Sequence, residues 1–178
     1  MVSVDFARKY LAALSQAAAD RLAPRPASTT LAMAARLIRQ CEGCILHPYQ
    51  DSAGNWTIGI GSIRMANGSP VSARTQPITE ADAEALMQAE LRPTAQSVNQ
   101  LVPAAATVAQ RAACTSFAYN EGVGAFRRST LLAKWRAGDL PGAAAQFLVW
   151  DIAGGRVVTG LETRRKLEQA VWLGTAIV

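Results

Sequence analysis

Residues 42–61 read Glu42-Gly43-Cys44-Ile45-Leu46-His47-Pro48-Tyr49-Gln50-Asp51-Ser52-Ala53-Gly54-Asn55-Trp56-Thr57-Ile58-Gly59-Ile60-Gly61. Glycines punctuate β-branched and aromatic residues here, the composition of strands joined by tight turns. Trp56 to Gly61 reads as a strand after a turn at Ser52-Ala53-Gly54-Asn55. One carboxylate, Glu42, stands where a helical pattern ends. A second, Asp51, lies beside the turn, and Thr57 follows in the strand. Hydrolysis of a sugar bond uses such a pair, one acid to protonate the leaving oxygen and one base to activate water. Separate elements let the two environments differ, so the two groups can take opposite protonation states. The threonine hydroxyl can both donate to and accept from a water. Two acids beside a turn ordinarily face solvent, so the pair alone identifies nothing.

On both sides of this stretch the pattern is helical. Ser28 or Thr29 is the expected N-cap of a helix running through Leu31 to about Cys41. Thr79 caps a later helix, with Asp82 at the capping-box position, that continues to about Leu91. Pro93 and Pro103 are expected to bracket a separate helix at 94–101. Further helices are expected at 107–119, 130–137, 141–149 and 161–173, with Gly174 as a stop. Near the start, Phe6, Tyr10, Leu14 and Ala18 recur every four residues and read as an amphipathic helix, with a fainter resemblance to a secretion signal. The two prolines of Ala23-Pro24-Arg25-Pro26-Ala27 end it.

The chain has 178 residues, half of them apolar and 17% charged, which is room for one domain or one chain in two lobes. It is rich in alanine and poor in aromatics, which favours helix over an all-β sandwich. A single histidine, His47, excludes a His-rich zinc site, and no metal or cofactor is expected. Three cysteines cannot close a disulfide framework. Cys41 and Cys44 form a Cys-x-x-Cys around Glu42, readable as two small buried hydrophobes or as a redox pair. The net charge of +5 points to an anionic partner without choosing one. It is unevenly spread: residues 42–100 carry three basic against six acidic groups, between two basic flanks.

The run of motifs is more specific than the pair. Glu42-Gly43, then Tyr49-Gln50-Asp51, then Gly54-Asn55-Trp56-Thr57-Ile58-Gly59-Ile60-Gly61 resembles the tailed-phage lysozymes, the endolysins of glycoside hydrolase family 24. The resemblance continues in Ser116-Phe117-Ala118-Tyr119-Asn120-Glu121-Gly122 through Leu132. It resumes at Trp150, Ala153-Gly154-Gly155 and Gly160-Leu161-Glu162-Thr163-Arg164-Arg165, so it covers about residues 31–174 in order.

That resemblance implies an α+β fold, mainly α and two-lobed. A small β-meander lobe at about 42–78 and connecting helices at 79–101 would join a helical large lobe at 102–178. Together they form a lysozyme domain over 30–178, after an N-terminal helix and linker at 1–29. It implies peptidoglycan as substrate, cut at the β-1,4 bond between N-acetylmuramic acid and N-acetylglucosamine. Glu42 would be the general acid, Asp51 the base or electrostatic partner, and Thr57 the residue that positions water. Inversion is the family expectation, which puts the two carboxyls roughly 6.5–9.5 Å apart. Tyr49, Gly59, Gly61, Asn120, Arg164 and Arg165 are the candidate substrate-binding residues. Tyr49 and Trp56 could equally pack within the small lobe, the glycines could serve turns alone, and Asn120 could be a cap. Arg164 and Arg165 match an arginine pair near the catalytic Glu, with no indication of which one faces the cleft.

Two departures stand out: Ser62 where the family commonly has His, and Gln50 where it often has a basic residue. A cation beside Glu42 would also favour the charged form, the wrong direction for an acid. The rivals are a lytic transglycosylase on the same bond, a catalytically decayed wall-binding protein, and a nucleic-acid binder. The last has only charge behind it, since no recognised motif is present. The resemblance further implies a monomer that gathers in the host cytoplasm and reaches the periplasm through a holin. Its basic segments would be attracted to the anionic envelope.

Overall fold

The computed structural model describes residues 29–51, 54–153, 156–157, 159–176 and 178. The expected N-terminal helix, its proline-rich end, Ser52, Ala53, Gly154 and Gly155 lie outside them. The architecture is the expected one, mostly helical with a small antiparallel sheet. Helix α1 spans Thr30–Glu42 and is capped by Thr29, whose hydroxyl accepts from the Ala32 amide at 3.1 Å. Two strands follow, β1 (Ile45–Gln50) and β2 (Trp56–Gly59), paired antiparallel with Tyr49 opposite Thr57 and Gln50 opposite Trp56. Isolated bridges Ile58–Ser62 and Arg64–Pro70 extend the meander. The small lobe has its own apolar centre of Ile58, Val71 and Leu86, with Trp56, Met65 and Ile78 against it. Trp56 is therefore packed in the lobe.

Helix α2 runs unbroken over Glu80–Leu101, where two helices meeting at Pro93 were expected. Its capping box is formed as read: Asp82 accepts from the Thr79 amide at 3.0 Å and Thr79 accepts from the Asp82 amide at 3.1 Å. Pro93 costs the helix one N–H. It sits on the exposed face, while Met87, Leu91, Ala95 and Val98 keep one buried stripe running past it. Burial of that stripe offsets the missing bond, which a rule about prolines alone does not weigh.

The large lobe is built round α3 (Val108–Glu121), in which every residue from Ala112 to Ala118 is buried. A helix buried on all sides over two turns belongs at the centre of a bundle. It packs on α1, α2 and the last helix, α7 (Thr159–Leu173). Around it lie α4 (Val123–Arg128), α5 (Thr130–Arg136) and α6 (Leu140–Ala145), the last continued by a 3-10 turn at Gln146–Val149. Phe117 meets Phe126, Phe147 and Trp150 edge to face in this core. Helix α4 and a short hairpin, β3 (Ile152–Ala153) with β4 (Arg156–Val157), were not anticipated. Two-residue strands are too short to leave an alternation in sequence.

Candidate active site

Glu42 is the last residue of α1, and Gly43 ends the helix with φ of 78° while its amide returns to the Arg39 carbonyl at 2.8 Å. Only a residue without Cβ takes that conformation cheaply, so Glu-Gly is a way of stopping a helix directly behind a carboxylate. The Glu42 side chain is 52% exposed, yet its Oε1 accepts from Arg164 Nη1 at 2.5 Å. Arg164 comes from α7 and is 4% exposed. Glu42, Arg164, Cys41, Asn120, Gly160 and Leu161 line a cavity of about 240 Å³. A larger apolar hollow of about 330 Å³, between Met65 and α2, contains none of the predicted site residues.

Asp51 is organised locally. Its amide donates to the Asn55 carbonyl and its carbonyl accepts from Gly54, both at 3.0 Å, closing the turn. Its carboxylate accepts from the Asn55 amide at 2.9 Å and from the Asn55 side-chain amide at 3.2 Å. Gln50 also donates to the turn, at the Gly54 carbonyl. Thr57 is 3% exposed and its hydroxyl donates to the Asn55 carbonyl at 3.0 Å. Its proton is thus committed, and what it offers a water is a lone pair. Tyr49, opposite Thr57, has its phenol pushed up first by burial and then by the charges of Asp51 and Glu42. The charges of both carboxylates therefore reach this one phenol.

The arginine pair divides. Arg164 reaches Glu42; Arg165 has no exposed surface. Arg165 donates to the Trp150 carbonyl at 3.1 Å, to Glu121 at 2.5 Å, and to Asn120 and Glu168, and it lies over the Phe117 ring. Enclosed this way it offers a sugar nothing, and its expected place in substrate binding is corrected to a structural one. Asn120 orients Arg165 through its side-chain oxygen and also lines the cavity. Gly59 is corrected likewise. It is buried with φ of 67°, and a Cβ there would meet the Ala83 Cβ at 3.0 Å, so the close approach it permits is that of α2. Gly61 is exposed with φ of 89° and open space around it, which is turn geometry.

Glu168 was not foreseen. It is fully buried, accepts from Ser116 at 2.7 Å and from Arg164 at 3.3 Å, and pairs with Arg165. Its spacing of three and four from the arginines was legible, but such pairs usually lie on a solvated helix face. Burial pushes the thiols of Cys41 and Cys44 up, away from the reactive thiolate a redox pair needs. The Ser62 hydroxyl is buried with no partner among the described residues.

The phage lysozyme family model matches residues 39–168. The chain is 37% identical over 125 residues to an SAR-endolysin of Escherichia phage Mu, covering 70% of each chain. It is 36% identical to an SAR-endolysin of Enterobacteria phage P21, covering 74% of this chain and 77% of that one. The fold superposes on the endolysin from Escherichia coli O157:H7 phage FAHEc1 with a TM-score of 0.72 and 31% identity, over 82% of this chain and 94% of that one. A mutant P22 lysozyme gives 0.71 at 30% identity, over 79% and 94%. With a helix-end Glu, a Tyr-x-Asp turn and a buried arginine joining two lobes, and with these matches over most of its length, the chain belongs to the phage lysozyme family, wall-lytic enzymes of the glycoside hydrolase type.

Proposed function

We propose that this endolysin hydrolyses the β-1,4 bond between N-acetylmuramic acid and N-acetylglucosamine in peptidoglycan. The observation that carries the reading is Glu42 at the end of α1, gripped by a buried arginine beside a cavity, with Asp51 held in the turn of the hairpin that follows. Glu42 gives its proton to the glycosidic oxygen as the bond to the anomeric carbon breaks. A water accepted by the Thr57 lone pair attacks that carbon and passes its proton to Asp51. Asn120 and Tyr49 remain candidates for sugar contact beside them. A relative in fold, the muramidase domain of SpmX from Asticcacaulis excentricus, has a TM-score of 0.61 at 31% identity, covering 79% of this chain and 94% of that one, and its name supports a muramidase reading.

The test is turbidity of permeabilised Gram-negative cells, with product analysis. Reducing ends that appear first with inverted configuration by proton NMR support two carboxyls flanking a water. Products ending in 1,6-anhydro sugars would instead make it a transglycosylase, and no lysis at all would make it a decayed wall binder. The protein is taken to act as a monomer in the periplasm after holin-mediated release, its basic flanks drawn to the anionic envelope. Among the described residues no helix is long and apolar enough to cross a membrane. Fractionation of cells expressing the chain without a holin tests the route, and periplasmic enzyme there would overturn it.

A further inference from the structure

Glu168 lies inside the helical lobe with no exposed surface, where a carboxylate must be matched by donors. Each of its oxygens has a cationic donor: Oε1 takes Arg164 Nε together with the Ser116 hydroxyl, and Oε2 takes Arg165 Nη1. Arg164 in turn is gripped at two points, Glu168 and Glu42. Its Nη2 is buried with no hydrogen-bond partner among the described residues. A side chain held at two points loses its direction when one is removed. The charges are also uneven. Two guanidinium cations meet three carboxylates, Glu42, Glu121 and Glu168. Without Glu168 the pull of Arg164 would fall on Glu42 alone, and a cation holding a carboxyl in its charged form opposes its use as a proton donor.

We propose that Glu168 is a positioning residue for the hydrolysis, aiming Arg164 at Glu42 and taking up part of its charge so that Glu42 can carry the proton it transfers. The proposal rests on Glu42 being the general acid. The charged and titratable groups facing Glu168 are Arg164 and Arg165 on its own helix, Cys114 on α3 and Cys41 on α1, with Ser116 as its neutral donor. Glu42 and Glu121 are joined to it through the arginines. Burial pushes both thiols up, so neither adds charge near neutrality. Burial also pushes the Glu168 carboxyl up, against the pull of Arg165, Ser116 and Arg164. With cationic donors on both oxygens, the ionised form is the one this geometry fits.

The test compares Glu168→Gln, Glu168→Asp and Glu42→Gln with the parent enzyme on soluble peptidoglycan fragments across pH, with near-UV circular dichroism to check folding. Glu168→Gln is expected to lose about tenfold or more in kcat at neutral pH, and its alkaline limb to move to lower pH by about one pH unit. Glu168→Asp keeps the charge but retracts it. It is expected to keep the alkaline limb and KM while losing about tenfold in kcat through misplacement of Arg164. A Glu168→Gln enzyme with the parent rate and an unmoved limb overturns the proposal. Should Glu168→Gln not fold, Glu168→Asp decides alone, with parent kcat overturning the proposal and a kcat loss at unchanged KM supporting it. Full activity in Glu42→Gln would remove the acid reading itself. An inactive Glu42→Gln beside an unaffected Glu168→Gln would remove only the role of Glu168.

Discussion

The end of α1 and the tip of the β1–β2 hairpin each present a carboxylate, and they hold it by opposite means. Glu42 is held from a helix 122 residues away, through an arginine that is itself buried and braced by Glu168. Asp51 is held by the amide and side chain of Asn55, four residues on, at an exposed turn. The first arrangement exists only when the large lobe is packed. The second includes bonds made within the turn itself. The proposed proton donor and the proposed base are thereby supported differently, one through a packed lobe and one through bonds to Asn55.

That contrast can be broken at several points. The largest expected effect is Glu42→Gln, which should cut the rate of turbidity loss by about 10²–10⁴-fold. A rate within a few-fold of the parent would remove Glu42 from the acid's place. Next is Arg164→Ala, expected to destabilise by about 3–5 kcal/mol in urea unfolding, because it strips a donor from the buried Glu168. A change near zero would mean the helical-lobe network is not what braces the site. Gly59→Ala should cost about 1–2 kcal/mol, since its φ is positive and the new Cβ would press on Ala83.

Asn55→Ala tests the hairpin side. It should cost only about 1 kcal/mol in stability, the net worth of a hydrogen bond or two at an exposed site. Its expected signature is a fall in kcat with Tm nearly unchanged, the reverse of a change in the core. The smallest effect belongs to Asp82, whose carboxyl the Thr79 hydroxyl and amide hold below its ordinary value. A lowered value means the ionised form stabilises the fold above the ordinary carboxylate range, and that this is lost as the pH falls through the lowered value. Asp82→Asn should therefore melt slightly lower than the parent at neutral pH, and the two should converge in acid. A gap that persists there would mean the charge is not what the cap uses.

The hairpin and the Glu-Gly stop were readable because their determinants lie within a few residues of one another. A positive-φ glycine, an Asp–Asn turn and a capping box are local chemistry, and the structure forms each where the residues stand. Pro93 misled because the local cost of a proline was weighed and the buried stripe that outweighs it was not. The short helix Val123–Arg128 and the hairpin before α7 left too few residues for a period to emerge.

The arginine pair draws the boundary most sharply. The family resemblance put both Arg164 and Arg165 near Glu42, but neighbours on a helix point about 100° apart. Which of the two faces the cleft depends on how α7 rolls against α3, and that is decided by a core assembled from Phe117, Phe147, Trp172 and their neighbours. By itself the sequence determined the motifs, the capping box at Thr79 and the turn beside Asp51, because those follow from backbone preferences over short stretches. Only the tertiary structure decided that Arg164 holds Glu42, that Arg165 is enclosed and that Glu168 stands behind both. Burial and long-range pairing are properties of the packed lobe, and no short stretch of chain contains them.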